Sequence, residues 1–260
     1  MNAFEAALAD RPRVFGGWVV GPTAIGPEAF AQTGYEYVGF DCQHGYLDDA
    51  DVARMLNRLE HVPIATAVRL PSTAPAPIGR VLDAGADAII VAMIETAEQA
   101  ARAVAATRFA PRGVRSFGPL RASLGTDVAT LEARVSVYAM VETARGLATL
   151  DEICAVPGLS GIYVGPADLA ISMGYGLSDA WTRPEVLDAM ARIVSAAGGA
   201  GLVAGVHAGD GSIGRTAAQM GFRVITLASE SQALRRGAAA HLTVAKPRAD
   251  ESLAGEGGYN

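Results

Sequence analysis

The sequence predicts a single-domain (β/α)₈ TIM barrel, and three observations carry that expectation. Eight short apolar, β-branched runs alternate with helical patterns at a spacing of about 25–35 residues. The chain has 260 residues, half of them hydrophobic, and α/β barrels commonly fold as one domain at such a length. Polar residues of chemical interest follow the runs rather than precede them, as they do where a barrel builds its catalytic face. A doubly wound open sheet normally stops at about five to seven strands, so closure fits the count better.

The runs fall at 14–20, 37–42, 64–70, 88–94, 136–142, 161–165, 202–207 and 224–228. Val, Ile and aromatic residues dominate them, and Gly, Pro or Asp interrupts the chain at their ends. Helical spacing of apolar residues predicts helices over 49–60, 78–84, 97–109, 145–154, 184–197, 212–220 and 231–240. Asp48, Thr96, Thr143 and Ser229 precede helix-forming stretches and are expected to cap them, each supplying a side-chain oxygen to an orphan amide. Gly85 ends the helix before the fourth run. Two connections exceed minimal length, 110–134 and 171–183, and both are expected on the catalytic side of the barrel or at its periphery. Residues 1–250 form the predicted domain and 251–260, rich in Gly and Glu, a loose tail. No internal repeat is present.

Composition removes several function classes. The longest charge-free stretch, 193–209, is broken by glycines and contains His207, so no membrane span is expected. The N-terminal residues include acids and no basic region, so no signal peptide is expected. The two cysteines, Cys42 and Cys154, form neither a disulfide framework nor a zinc spacing, which suits a reducing cytoplasm. Formal net charge is -6 and basic residues are unclustered, which argues against nucleic acid as a partner. Of 21 basic residues only Lys246 is a lysine, and it lies near the C-terminus. Schiff-base chemistry requires a lysine in an apolar pocket at a strand end. No Schiff-base lysine and no PLP are therefore expected.

The ends of the runs carry the candidate site. Glu142 closes the fifth run, and Asp168 follows the sixth, with a helical stretch between them. Parallel strands place such ends side by side, so the two carboxylates could share one divalent cation. An oxygen-only set suits Mg²⁺, Mn²⁺ or Co²⁺ and not a dedicated zinc site. The bland alternative is that Asp168 caps a helix while Glu142 pairs with an arginine such as Arg145. Arg69 ends the third run, and its planar fork suits a carboxylate or an enolate oxygen. Asp41 and His44 end the second run at a spacing expected of a general base oriented by a carboxylate. Cys42 alternates to the opposite face from Asp41 and is expected to pack outward. Trp18 lies within the first run. His207 ends the seventh and reads equally as a buried barrel residue or a substrate contact. Asp83 precedes the fourth run, away from its own catalytic face, so any role would reach a neighbouring subunit.

The ordered set Phe40-Asp-Cys-Gln-His-Gly45, Val68-Arg-Leu-Pro71, Leu82-Asp-Ala-Gly85, Arg108-Phe-Ala-Pro-Arg-Gly113, Val141-Glu-Thr143 and Val164-Gly-Pro-Ala-Asp-Leu169 resembles the HpcH/HpaI class II pyruvate aldolase family. The resemblance runs from about Gly16 to Ser229. It implies a (β/α)₈ barrel, a hexamer built as a trimer of dimers that exchange their last helix, and metal-dependent, reversible retro-aldol cleavage of a 4-hydroxy-2-oxo acid to pyruvate and an aldehyde. By the same resemblance Glu142 and Asp168 are metal ligands, Arg69 binds the keto oxygen and stabilises the enolate, and His44 is the base with Asp41 as its partner. The amides of Ala167 and Asp168 cradle the substrate carboxylate, Ser123 belongs to a loop near the aldehyde half, Trp18 lines the substrate pocket, and Asp83 reaches a neighbouring site. Two positions depart from the family pattern. Met140 stands where many members have Gln two residues before the metal-binding Glu, which affects stereochemical preference. Gln43-His44-Gly45 stands where many have Glu-His-Ala. Met-x-Glu-Thr is also similar to the citrate-lyase-β and malyl-CoA lyase group, which makes a thioester lyase the alternative reading. A catalytically retired keto-acid-binding barrel is the third.

Overall fold

The computed structural model describes residues 2–23 and 25–246. The expected tail over 251–260 and the domain boundary at 250 lie outside the described residues. Eight parallel strands close into a barrel in sequence order: β1 Val14–Val19, β2 Tyr37–Asp41, β3 Ala65–Leu70, β4 Ala88–Val91, β5 Ser136–Val141, β6 Gly161–Val164, β7 Val203–His207 and β8 Val224–Ser229. The helices of the described residues are α1 Ala3–Ala9, α2 Gly26–Gln32, α3 Asp49–Arg58, α4 Pro75–Asp83, α5 Ala97–Ala105, α6 Val128–Ala133, α7 Ala144–Ala148, α8 Leu150–Cys154, α9 Pro166–Ser172, α10 Pro184–Gly199, α11 Gly211–Met220 and α12 Glu230–Ala245.

All four expected caps form. Asp48 opens α3 and Thr96 opens α5 with reciprocal capping boxes, Thr143 opens α7, and Ser229 opens α12 in a box with Gln232. Each such cap is worth about 1 kcal/mol. The helix expected over 145–154 is broken at Thr149, whose hydroxyl bonds the backbone oxygen of Glu95. Helices α1, α2, α6 and α9 escape a periodicity reading because each spans only six or seven residues, under two turns.

Two apolar layers hold the molecule. One lies between the strands and the surrounding helices. The other fills the barrel, where Trp18, Tyr37, Tyr138, Met140 and Tyr163 interdigitate and Phe4 of α1 plugs the N-terminal end. Glycines on adjacent strands make room for the rings. A Cβ at Gly39 would stand 2.1 Å from the Trp18 ring, and one at Gly16 would stand 2.1 Å from Tyr37. Helix α12 is the exception to this burial: none of its residues is buried.

The 110–134 connection is a correction. It follows α5 and leads into β5, so it lies at the N-terminal end of the barrel and not on the catalytic side. Its Arg121 bonds the backbone oxygens of Leu56 and Gly85, and Leu120 donates its N–H to Asp83. The 171–183 connection does sit on the catalytic side, between α9 and α10.

Candidate active site

A cavity of about 500 Å³ opens at the carboxyl ends of the strands, lined among others by Trp18, Asp41, His44, Arg69, Ala167, Asp168 and His207. Register explains the first pair. Asp41 and Arg69 are direct partners between β2 and β3, so both side chains enter the barrel at one level. Arg69 Nε donates to Asp41 Oδ1 at 2.9 Å and Nη2 donates to Oδ2 at 2.5 Å. The Trp18 indole N–H donates to the same Oδ2 at 3.1 Å, and the backbone N–H groups of Gln43 and His44 both donate to Oδ1 at 3.0 Å. Burial opposes the charge on Asp41, but Arg69 and these donors overcome it and hold the carboxyl below its usual range.

This corrects the expected Asp41–His44 pair. Asp41 grips the backbone of His44 and the guanidinium of Arg69, and it does not orient the imidazole. The His44 side chain is exposed at the cavity rim. Arg69 also lies 5.4 Å from the Trp18 ring centroid, in a cation–π contact. Its Nη1 has no hydrogen-bond partner among the described residues.

Glu142 follows β5 and is fully buried. Its Oε1 accepts the backbone N–H of Met93 at 3.0 Å, while Oε2 is buried with no partner. Burial pushes this carboxyl up to about 7; the Met93 N–H opposes the rise, and the neighbouring charge of Asp168 adds to it. Arg145 pairs instead with Glu95 at 3.5 Å, and no arginine forms an ion pair with Glu142 among the described residues. Gly165, on the cavity wall, leaves room for the Glu142 carboxylate: a Cβ there would meet Oε2 at 2.3 Å. Met93, whose N–H bonds this carboxylate, has φ +57°, a strained conformation for a side-chain-bearing residue. Nothing in the local sequence signals it.

Asp168 lies in the first turn of α9, which Pro166 opens at its first position. Among the described residues no group of three or more His, Cys, Asp or Glu could hold a metal. Glu142, with its unpartnered buried oxygen, and Asp168 are two carboxylates of a kind that would suit a hard dication keeping several water or substrate oxygens. His207 stacks edge-on against Trp18 at 5.3 Å, and burial together with Arg69 pushes its imidazole down to about 4. It is neutral at physiological pH.

Two expected residues are elsewhere. Ser123 bonds Glu60 at the N-terminal end of the barrel and does not line this cavity, because the 110–134 connection runs on that side. Asp83 is also away from the cavity, as expected, and pairs with Arg115 at 2.8 Å. Cys42 packs outward against the helical layer, and burial pushes its thiol up to about 12, which suits no nucleophile. The cavity also takes Leu177, Ala180 and Trp181 from the 171–183 connection, and Gln232 and Arg235 from α12. These contributions were invisible in sequence because they depend on how remote segments fold over the barrel mouth.

Residues 15–236 match the HpcH/HpaI aldolase/citrate lyase family. The chain belongs to this family. A hydroxypyruvate/pyruvate aldolase of Paraburkholderia phytofirmans is 37% identical over 240 residues, covering 88% of this chain and 92% of its own. A second protein of that name, from Rhizorhabdus wittichii, is 35% identical over 252 residues, covering 96% and 100%. The crystal structure of an HpcH/HpaI aldolase/citrate lyase family protein from Burkholderia cenocepacia superposes with TM-score 0.85 at 34% identity, covering 94% of this chain and 98% of that one. This HpcH/HpaI barrel is an enzyme, a lyase of the aldolase kind.

Proposed function

We propose that this enzyme catalyses reversible cleavage of a 4-hydroxy-2-oxo acid to pyruvate and an aldehyde, with Glu142 and Asp168 holding Mg²⁺, Mn²⁺ or Co²⁺. The observation that carries this reading is the buried, unpartnered Oε2 of Glu142, a carboxylate within the electrostatic reach of both Asp168 and Arg69. Relatives named hydroxypyruvate/pyruvate aldolase support a small 2-oxo acid as the common half of the substrate. The dication would supply Lewis-acid polarisation of the 2-oxo group.

The protein's own groups divide the remaining work. The amides of Ala167 and Asp168, at the start of α9, receive the substrate carboxylate. Arg69, locked by its two bonds to Asp41, presents Nη1 to the oxygen on which enolate charge develops. Asp41 is thus a positioning residue for Arg69. His44 takes the proton of the 4-hydroxyl, through a water, and the C3–C4 bond then breaks to release the aldehyde. Trp18 forms the floor on which Arg69 lies. Protonation of the enolate at C3 gives pyruvate.

The two free thiols suit a reducing cytoplasm. No helix of the described residues is long and apolar enough to cross a membrane. The unburied α12 supports assembly, as a trimer of dimers that exchange this helix, with Asp83 and Ser123 serving a neighbouring copy. The direct test is pyruvate release from a panel of 4-hydroxy-2-oxo acids with and without EDTA. Turnover should vanish on chelation and return with Mn²⁺. Undiminished turnover in fully metal-free enzyme would sink the mechanism.

A further inference from the structure

Along a strand, successive N–H groups face opposite neighbours, so residues two apart donate to the same side. Just past the end of β4 this alternation fails. Ala92 donates to the backbone oxygen of Leu70 on β3 at 3.0 Å, which leaves Met93 to face β5 and Ile94 to face β3 again. Ile94 instead donates to the backbone oxygen of Met140 on β5, also at 3.0 Å. Met93 is therefore one residue too many in the pairing with β5, as in a β-bulge. Its φ of +57° absorbs the extra residue.

The Met93 N–H, displaced from the ladder, donates to Glu142 Oε1 at 3.0 Å. That carboxylate is fully buried, and its Oε2 has no partner. The amide thus engages one oxygen and leaves the other alone. Packing of the Met93 side chain does not account for the bulge, since it is 43% exposed between the buried Ala92 and Ile94. Nor does local preference, because the position holds neither Gly nor Asn, the residues that readily take positive φ. A left-handed backbone at such a residue persists only where the surrounding contacts impose it.

We infer that Met93 is a positioning residue for the cation site: the bulge takes its N–H out of the β4–β5 ladder to fix Glu142 through Oε1, leaving Oε2 to the metal. The inference rests on the reading of Glu142 as a metal ligand. A carboxylate held by one oxygen is already oriented before a cation arrives, so binding need not pay to order it.

Two measurements test this role. The first is hydrogen exchange resolved to single amides, in metal-free wild type and in Glu142→Ala. Met93 should be protected in the wild type and exchange about tenfold or more faster in the variant, while Ile94, bonded to Met140, stays protected in both. Protection of Met93 that survives Glu142→Ala would put its N–H back in the ladder and overturn the inference. The second is Mn²⁺ affinity by calorimetry in variants chosen for backbone preference. Met93→Gly takes positive φ without strain and should bind within about twofold of wild type. Met93→Val resists positive φ and should bind about 10–100-fold more weakly, the range for losing a group that orients a ligand. Equal weakening in both variants would assign the effect to the lost side chain and overturn the inference. If Met93→Val does not fold, as judged by circular dichroism, the exchange result alone decides. A wild type that binds no Mn²⁺ defeats the metal reading and this inference with it. A wild type that binds Mn²⁺ no more tightly than Met93→Val defeats only the role of Met93.

Discussion

Asp41 receives five hydrogen bonds, and this saturation decides the chemistry of its neighbours. A carboxylate so occupied cannot also orient an imidazole, so its effect reaches the reaction through Arg69. Arg69→Lys keeps one positive charge but loses the fork that grips Asp41 while presenting a free nitrogen. Its kcat should fall about 10²-fold, the scale of losing one preorganised donor at a developing oxyanion, with a circular dichroism spectrum like that of the wild type. Glu142→Gln preserves shape but removes the charge, so the rise in Tm that Mn²⁺ produces in the wild type should disappear in the variant. His207 gives a stability prediction with a definite sign. Between pH 6.5 and about 4 the folded imidazole binds fewer protons than the unfolded one, so its contribution is complete above 6.5 and is lost as pH falls. The loss amounts to at most about 3 kcal/mol. Urea midpoints of wild type and His207→Gln, compared from pH 7 to pH 4, should therefore converge as the pH drops.

At the scale of elements, the site is assembled from strand ends and short helix starts. The 4-residue β6 ends at Val164, Gly165 leaves room for the Glu142 carboxylate, and Pro166 opens α9. Gly165→Ala would place its Cβ 2.3 Å from Oε2 and 2.7 Å from Met140 Cε. It should weaken Mn²⁺ binding, read by calorimetry, even where the barrel still folds. Gly39→Ala would drive a Cβ into the Trp18 ring, which is fully enclosed. Overpacking of this kind costs about 1–3 kcal/mol, and Trp18 would also lose its bond to Asp41. Denaturant unfolding should register the first effect and a lower kcat the second.

For the whole molecule, α12 is the part that one chain leaves unfinished. A 16-residue helix without a buried residue, carrying Leu234, Leu242 and Val244 exposed, exceeds what propensity alone holds in water. Sedimentation should show an assembly larger than a monomer, and truncation before Leu234 should break it down. The barrel itself was legible in the chain. All eight strands were found because β-branched apolar runs alternate with helical patterns, and four caps were found because capping depends on residues only three apart. That Trp18, Arg69 and Asp168 would meet at one cavity was legible because a parallel barrel sends every strand end to one face. Helices under two turns were not legible, since they carry too few positions to show a period. The partner of Asp41, the end of the barrel that holds Ser123 and the left-handed backbone at Met93 were decided only by the tertiary structure. Each depends on the distance between segments remote in sequence, and local pattern carries no information about that distance.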